Sequence, residues 1–361
     1  MGVINGWQQA TGDGKNLTTE PSAIAVAVVV VVVFASCQLP FASCHKRFLM
    51  PDQPTILVVG SINMDLVVRV AQMPGPGETI SGDGLTMSPG GKGANQAVAA
   101  ARAGTNCIML ARVGDDPFGH ELRGVLANDG IYCDSVMVTP DVPTGAAMIM
   151  VDKLGENSIV ISGGANMALS PDDIFSRAEL FAQADLVVLQ LEIPLPTVRA
   201  AMDLARRHSC RIVLDPSPVP GPLPNELLAV DVITPNTIEA EQITGIQAAE
   251  ERADRQVASQ LIERGARAAV LKTGARGSLV VSADGEIARV PPYRVDIVDT
   301  TGAGDAFTGN LAAAIARGES PAAAAKIANA AGALACTKFG AQAAIPTWDE
   351  IRMLMEDQNP Q

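Results

Sequence analysis

The sequence predicts an α/β fold, with a mostly parallel central sheet covered by helices on both faces and a small antiparallel β sheet beside it. Three observations predict it. From Thr55 onward, short apolar runs of strand length alternate with helical patterns, as buried parallel strands and their crossover helices read. Near 61–90 and 144–163, shorter segments alternate apolar with polar residues around turn signals, the mark of antiparallel strands. Hydrophobic residues make up 48% of the 361 but aromatics only 3%, so the core between the layers is aliphatic and rich in alanine.

Taken in order, Ile56-Leu57-Val58-Val59-Gly60 is an unbroken strand run ending in glycine. Leu66–Val70 and Glu78–Met87 read as short strands, turned at Pro74-Gly75-Pro76-Gly77. Gly90-Gly91-Lys92-Gly93 opens a helix over Ala94–Ala103, and Asn106–Leu110 is the next strand. Asp116-Pro117 is an N-cap followed by proline at the first helical position, with helix to Asn128. Thr144–Val151 and Ser158–Ser162 form a hairpin around Lys153–Asn157, and Ser170-Pro171 caps another helix. Strand Leu186–Gln190, helix Pro196–His208 and strand Ile212–Leu214 follow, the last ending in Asp215-Pro216. Val232–Thr234 is a short strand and Asn236 opens a helix. A helix over 253–264, a strand over 268–272 and a hairpin of 278–281 with 287–290 lead to helices over 304–316, 321–337 and 347–355.

Residues 1–49 do not share this patterning. Ala23–Ala35 is a Val-dominated run too short to span a bilayer comfortably. It resembles the apolar part of a secretory signal, but Asp13, Lys15 and Glu20 precede it where a basic stretch belongs, and Phe34-Ala35-Ser36-Cys37 is a poor lipoprotein cleavage site. Met50 stands at the lead-in to the first strand. We therefore expect 1–49 to be a disordered extension or a non-native start, and 50–361 to be the working domain.

The net charge of −13 repels nucleic acid and anionic membrane, so neither is an expected partner. Anionic substrates need a local positive pocket. Cysteines 37, 44, 107, 133, 210 and 336 include no C-x-x-C pair, which points to reduced thiols and a cytoplasmic protein. His45, His120 and His208 are far apart, so no sequence-local zinc site is expected.

The stretch that carries chemistry is Asp299-Thr300-Thr301-Gly302-Ala303-Gly304-Asp305, at the mouth of an Ala-rich helix. Gly302 and Gly304 let the backbone turn tightly against a ligand. The helix end that follows offers unpaired N–H groups to an anion. Asp305, in the first turn, can take a proton from a hydroxyl while the turn holds a phosphoryl group; alternatively it only caps the helix. Gly90–Gly93 is no P-loop, because Gly93 stands where serine or threonine is required, and Gly60-Ser61-Ile62-Asn63 lacks the dinucleotide glycines. Asn63 and Asp65 suit sugar hydroxyls or an Asx turn. Asn236 and Glu239 suit a capping box or, through Glu239, hydrated magnesium. Lys272–Gly277 could loop under a nucleotide or simply turn a hairpin.

In this order the motifs resemble the ribokinase-like family of carbohydrate and nucleoside kinases. The two that carry the resemblance are Gly90-Gly91-Lys92-Gly93-Ala94-Asn95-Gln96-Ala97 and the Asp299–Asp305 run, supported by Gly60–Asp65, Gln190-Leu191-Glu192, Thr234-Pro235-Asn236 with Glu239, and Gly340-Ala341-Gln342. The likeness spans residues 55–352. It implies a three-layer α/β/α domain whose small antiparallel sheet is a lid over the site and the contact of a homodimer. It implies ATP-dependent phosphorylation of D-ribose to D-ribose 5-phosphate, with other sugars or nucleosides as alternatives, or a sugar sensor without catalysis. Asn63, Asp65, Gly91, Lys92, Asn95 and Glu192 would bind the sugar, and Asp305 would deprotonate it. Asn236, Lys272, Gly274, Gly277 and Asn329 would line the ATP site, with Glu239 in a magnesium–water network. Gly302, Ala303 and Gly304 would form the anion hole. Potassium would sit at Asp299, Thr301, Ala335, Lys338, Gly340 and Ala344, largely on carbonyl oxygens. Ala344 departs from the family pattern, in which serine is common.

Overall fold

A computed structural model describes residues 49–50, 52–153, 157–248 and 250–358. The extension expected at 1–49 lies outside the described residues, Leu49 excepted, as do residues 154–156 of the expected turn. In chain order the elements are β1 (Thr55–Val59), β2 (Asn63–Val70), β3 (Gly82–Gly90), α1 (Lys92–Arg102), β4 (Asn106–Gly114), α2 (Pro117–Asn128), β5 (Val136–Thr139), β6 (Gly145–Val151) and β7 (Asn157–Ser162). Then come α3 (Pro171–Phe175), α4 (Ala178–Gln183), β8 (Leu186–Leu189), α5 (Leu195–Arg207), β9 (Arg211–Leu214), α6 (Asn225–Leu228), β10 (Val232–Ile233), α7 (Thr237–Thr244) and α8 (Glu251–Glu263). The chain ends with β11 (Ala268–Lys272), β12 (Ser278–Ser282), β13 (Ile287–Val290), α9 (Ala303–Ala316), α10 (Pro321–Ala335) and α11 (Trp348–Asp357).

The main sheet runs β13-β12-β11-β10-β9-β8-β1-β4-β5. It is parallel except at one edge, where β12 is antiparallel to both β11 and β13. Why helices cover both faces is visible in β1 itself. Ile56 and Val58 enter a core with residues of α1, α2, α9 and α10. Leu57 and Val59 point the other way, into a core with residues of α3 to α8. Successive side chains of a strand face opposite sides, so a strand apolar at every position needs a helical layer on each. Alanine dominates α9 and α10, which lets those helices approach closely.

The chain leaves β1 for β4 on one side and later returns to β8 on the other. This reversal opens a crevice at the carboxyl ends of the strands, the usual ligand position in such sheets. Ser61, Glu192, Asp215 and Lys272 follow or end β1, β8, β9 and β11 there.

The small sheet has the order β3-β2-β6-β7. Its outer pairs are antiparallel and its central pair β2–β6 is parallel. Only Gly60-Ser61-Ile62 separates β1 from β2, so this sheet is rooted at the crevice.

Several boundaries differ from expectation. The strand expected at Glu78–Met87 instead spans Gly82–Gly90, paired with β2 from Val70 to Asn63 with a register shift between Val68 and Arg69, and Glu78–Ser81 is irregular. Helix α10 stops at Ala335, where the Thr337 hydroxyl turns back to the Leu334 carbonyl at 2.7 Å. Strand β5 and helices α4 and α6 are too short for a clear period, and the sequence reading leaves them out.

Candidate active site

Helix α9 begins at Gly302, which sits in the left-handed region at φ 76°. A side chain there is doubly disfavoured, since a Cβ would also lie 2.9 Å from Ala341 Cα. Among the described residues no side chain caps this helix, and no carbonyl accepts the Gly304 or Asp305 N–H. Those donors remain available to a ligand.

Asp305 is therefore not a cap. It is 5% exposed, and its carboxylate faces α1. Asn95 Nδ2 donates to one oxygen at 2.9 Å, Gln96 Nε2 to the other at 3.0 Å, and Lys92 Nζ stands 3.8 Å away. The two glycine motifs, more than 200 residues apart, thus meet on one carboxylate. Gly91, at φ 88° and with a would-be Cβ 2.7 Å from Asn63 N, lets α1 start against the root of β2.

Around Lys92 stand more acidic groups. Glu192 accepts from Ser61 Oγ at 2.5 Å and from the Lys92 amide at 3.1 Å. Burial opposes charge on Lys92, but Asp305, Asp215, Glu192 and Glu239 outweigh it and hold the ammonium well above its usual range. Burial pushes the Glu192 carboxyl up. Asp65 is pushed up to about 7, first by burial and then by the charges of Glu192 and Asp305. Asn63 lies in β2 and not in an Asx turn; its Oδ1 accepts from Asn166 Nδ2 at 2.7 Å, which orients its own amide N–H groups. Asp65, Glu192 and Asp305 near a single ammonium suit a neutral ligand rich in hydroxyl donors better than an anion.

The residues expected at the nucleotide fall into two groups. Asn236 and Glu239 do form the capping box of α7, with the Asn236 N–H on Glu239 Oε2 at 2.8 Å. That bond uses one oxygen of a buried carboxylate, so the other still fits a hydrated cation. Lys272 Nζ donates to Asp215 at 2.8 Å and lies close to Gly304. Gly274, at φ 58°, faces open space. Gly277 and Asn329 converge on the end of β13: a Cβ on Gly277 would strike the Val290 carbonyl, and Asn329 Nδ2 donates to Val290 and Pro291. A buried Asp254, bound by Arg276 and Arg289, braces this loop from α8.

The loop before α9 gathers part of the expected potassium set. Asp299 accepts from the Thr301 N–H and hydroxyl and from the Gly340 N–H. Burial would raise its pKa, but these bonds and the charge of Arg69 hold it below the usual range. The Lys338 ammonium turns away to Glu350 at 2.9 Å, leaving its backbone as the part that can face a cation. Ala335 and Ala344 are fully buried and offer only carbonyls.

Four site residues escaped the sequence reading: Ser61, Gln96, Asn166 and Asp215. Asp215 had a usable signal, since a carboxylate directly after a buried strand of an α/β sheet stands where ligands bind. Gln96 and Ser61 lie inside the Gly90–Ala97 and Gly60–Asp65 motifs. Asn166 had no local signal, because its partners are more than 100 residues away.

Fold and site define a phosphotransferase class in which a glycine-lined helix end faces a buried carboxylate. Residues 53–348 match the family model described as pfkB family carbohydrate kinase, and the chain belongs to that family. It is similar to the bifunctional ribokinase/ribose-5-phosphate isomerase A of Fructilactobacillus sanfranciscensis, with 40% identity over 84% of this chain, and spans 56% of that relative's length. It is 38% identical to the ribokinase of Haemophilus influenzae, over 84% of this chain and 98% of the relative. The structure of Arabidopsis thaliana ribokinase complexed with ribose and ATP superposes with a TM-score of 0.77 at 32% identity, covering 84% of this chain and 99% of that one.

Proposed function

We propose that this protein is an ATP-dependent ribokinase that phosphorylates D-ribose at the 5-hydroxyl to give D-ribose 5-phosphate. The observation that carries the reading is Asp305, buried in the first turn of α9 beside unpaired N–H groups and held by Asn95 and Gln96. Asp305 takes the proton of the 5-hydroxyl as that oxygen attacks the γ-phosphorus in line and ADP leaves. Of the expected Gly302, Ala303 and Gly304 anion hole, the Gly302 and Gly304 N–H groups receive the charge on the transferring phosphoryl group, while the Ala303 N–H is already given to the Thr300 carbonyl at 3.2 Å. Asn63, Asp65, Gly91, Lys92, Asn95 and Glu192 hold the sugar. Their excess of carboxylates supports an unphosphorylated, neutral acceptor. Asn236, Lys272, Gly274, Gly277 and Asn329 line the nucleotide side.

Magnesium, held through water by Glu239, would neutralise charge on the ATP phosphates. Potassium at Asp299, Thr301, Ala335, Lys338, Gly340 and Ala344 would add positive charge behind the turn. The small sheet serves as the lid that excludes water. It also supplies a dimer contact: Met87, Met148 and Val160, each more than half exposed, line one row of that sheet across Leu66. A cytoplasmic site of action accords with the free thiols of Cys107, Cys210 and Cys336. Among the described residues no helix is long and apolar enough to cross a membrane.

A coupled ADP-release assay across D-ribose, deoxyribose, other pentoses and nucleosides tests the reading. Ribose should give the highest kcat/KM. Faster turnover of another acceptor moves the substrate, and ribose binding without ADP release in magnesium and potassium replaces the enzyme by a sensor.

A further inference from the structure

The Asp215 carboxylate is 1% exposed, yet neither of its partners is backbone. Lys272 Nζ donates to one oxygen at 2.8 Å, and Gln96 Nε2 to the other at 2.8 Å. The same Gln96 nitrogen donates to Asp305 at 3.0 Å. A carboxamide nitrogen carries two hydrogens, one for each carboxylate. Its orientation is set from behind, since Gln96 Oε1 accepts from Gln190 Nε2 at 2.7 Å. The result is a fixed row across the floor of the crevice: the Lys272 ammonium, Asp215, Gln96, Asp305 and the Lys92 ammonium. At its far end a methyl placed on Gly304 would lie 3.7 Å from Lys272 Nζ, so this cation stands at the turn with the unpaired N–H groups.

We propose that Asp215 is a positioning residue for phosphoryl transfer. It holds the Lys272 ammonium against the Gly302–Gly304 turn, where that charge meets the transferring phosphoryl group, and through Gln96 it fixes the distance from this cation to the base. A lysine side chain has four rotatable bonds and no preferred geometry of its own, so a buried carboxylate is what localises its charge. Both Asp215 oxygens are taken by Lys272 and Gln96, so in this proposal it acts through those two side chains. The inference rests on the kinase reading above and adds to it how charge is placed at the phosphoryl group.

The test compares Asp215→Asn, Lys272→Met and the double variant with the unmodified chain, using the sugar that chain turns over best. Lys272→Met should lower kcat roughly a hundredfold, the usual loss for one electrostatic donor. Asp215→Asn should lower kcat by roughly tenfold and raise KM for ATP, with KM for the sugar within about twofold, because only the cation's position is lost. The double variant should match Lys272→Met alone, since the two residues act as one unit. A purely structural role would lower thermal stability without splitting the two KM values. The proposal is overturned if Asp215→Asn keeps kcat and KM for ATP within about twofold of the unmodified chain. Should Asp215→Asn fail to fold, the double variant, which leaves no unpaired buried charge, decides: kinetics equal to Lys272→Met support the proposal, and a further tenfold loss overturns it. Failure of the kinase reading shows separately, as absent ADP release by the unmodified chain on every sugar.

Discussion

Asp65 and Asp299 are the same side chain in two regions of the site, and the fold shifts them in opposite directions. Asp299 is already bonded by Thr301 and Gly340 and is held below the usual range. Asp65 is pushed up to about 7 by burial and by the neighbouring Glu192 and Asp305 charges, and among the described residues no hydrogen bond relieves it. The protein itself satisfies the carboxylate of the α9 approach loop, whereas the carboxylate at the root of the small sheet awaits a partner. In the proposed function, sugar hydroxyls would supply the bonds that folding withholds from Asp65.

The largest effect expected is at Asp305, which belongs to neither pattern because Asn95 and Gln96 bond it and it still faces the crevice. Asp305→Asn should lower kcat by about 10²–10⁴-fold, the usual worth of a positioned base, and leave sugar affinity within a few-fold. Turnover and calorimetric binding measured on the same preparation check this, and unchanged kcat removes Asp305 from the chemistry.

Asp65→Asn should weaken sugar binding by about 10- to 100-fold, the loss of a charge-assisted bond worth roughly 1.5–3 kcal/mol. KM for ATP should move little. A larger effect on ATP than on sugar would place Asp65 on the wrong side of the site.

The two carboxylates also differ in pH response. Asp65 has its folded value near 7, above the ordinary 3.8, so the ligand-free fold binds a proton there that the unfolded chain does not. Asp65 thus makes the ligand-free protein less stable as pH rises from about 4 to about 7. Asp299 does the reverse, adding stability above its ordinary value that is lost as pH falls through its lowered one. Sugar hydroxyls need the ionised Asp65, so sugar affinity should rise with pH toward about 7 and then level. Calorimetry between pH 5 and 8 checks it, and in Asp65→Asn that slope should flatten.

The comparison also shows what the sequence could tell. The sheet and its two helical layers are legible because β1 from Ile56 onward and β8 throughout are unbroken apolar runs of strand length, alternating along the chain with helical patterns. Asp305 and the glycines of both motifs are legible because close backbone approach and a helix end restrict residue type. What was not legible came from distance: Asp215 and Gln96 are ordinary polar residues until folding places them 2.8 Å apart. The β2–β6 parallel pairing was hidden for a related reason. Alternation reveals that a strand has one buried face, but not the direction of its neighbour.

The smallest effect expected concerns Ala344, the departure from the family pattern. It is fully buried in the 3-10 turn Gln342–Ala344, beside the loop that presents Asp299 and Gly340. Ala344→Ser adds a hydroxyl with no water to solvate it, which costs about 1–3 kcal/mol if it finds no partner. A bound potassium ion would be such a partner, as an oxygen donor suits a hard cation. The variant should therefore melt below the unmodified protein in sodium buffer and regain much of that difference in potassium, with half-activation by potassium shifted down about fivefold, the factor that corresponds to roughly 1 kcal/mol of binding energy. Thermal unfolding in the two salts reads this without reference to activity. Equal melting differences in sodium and potassium would mean that the ion, if bound, does not reach residue 344, and that Asp299 and the loop carbonyls hold it alone.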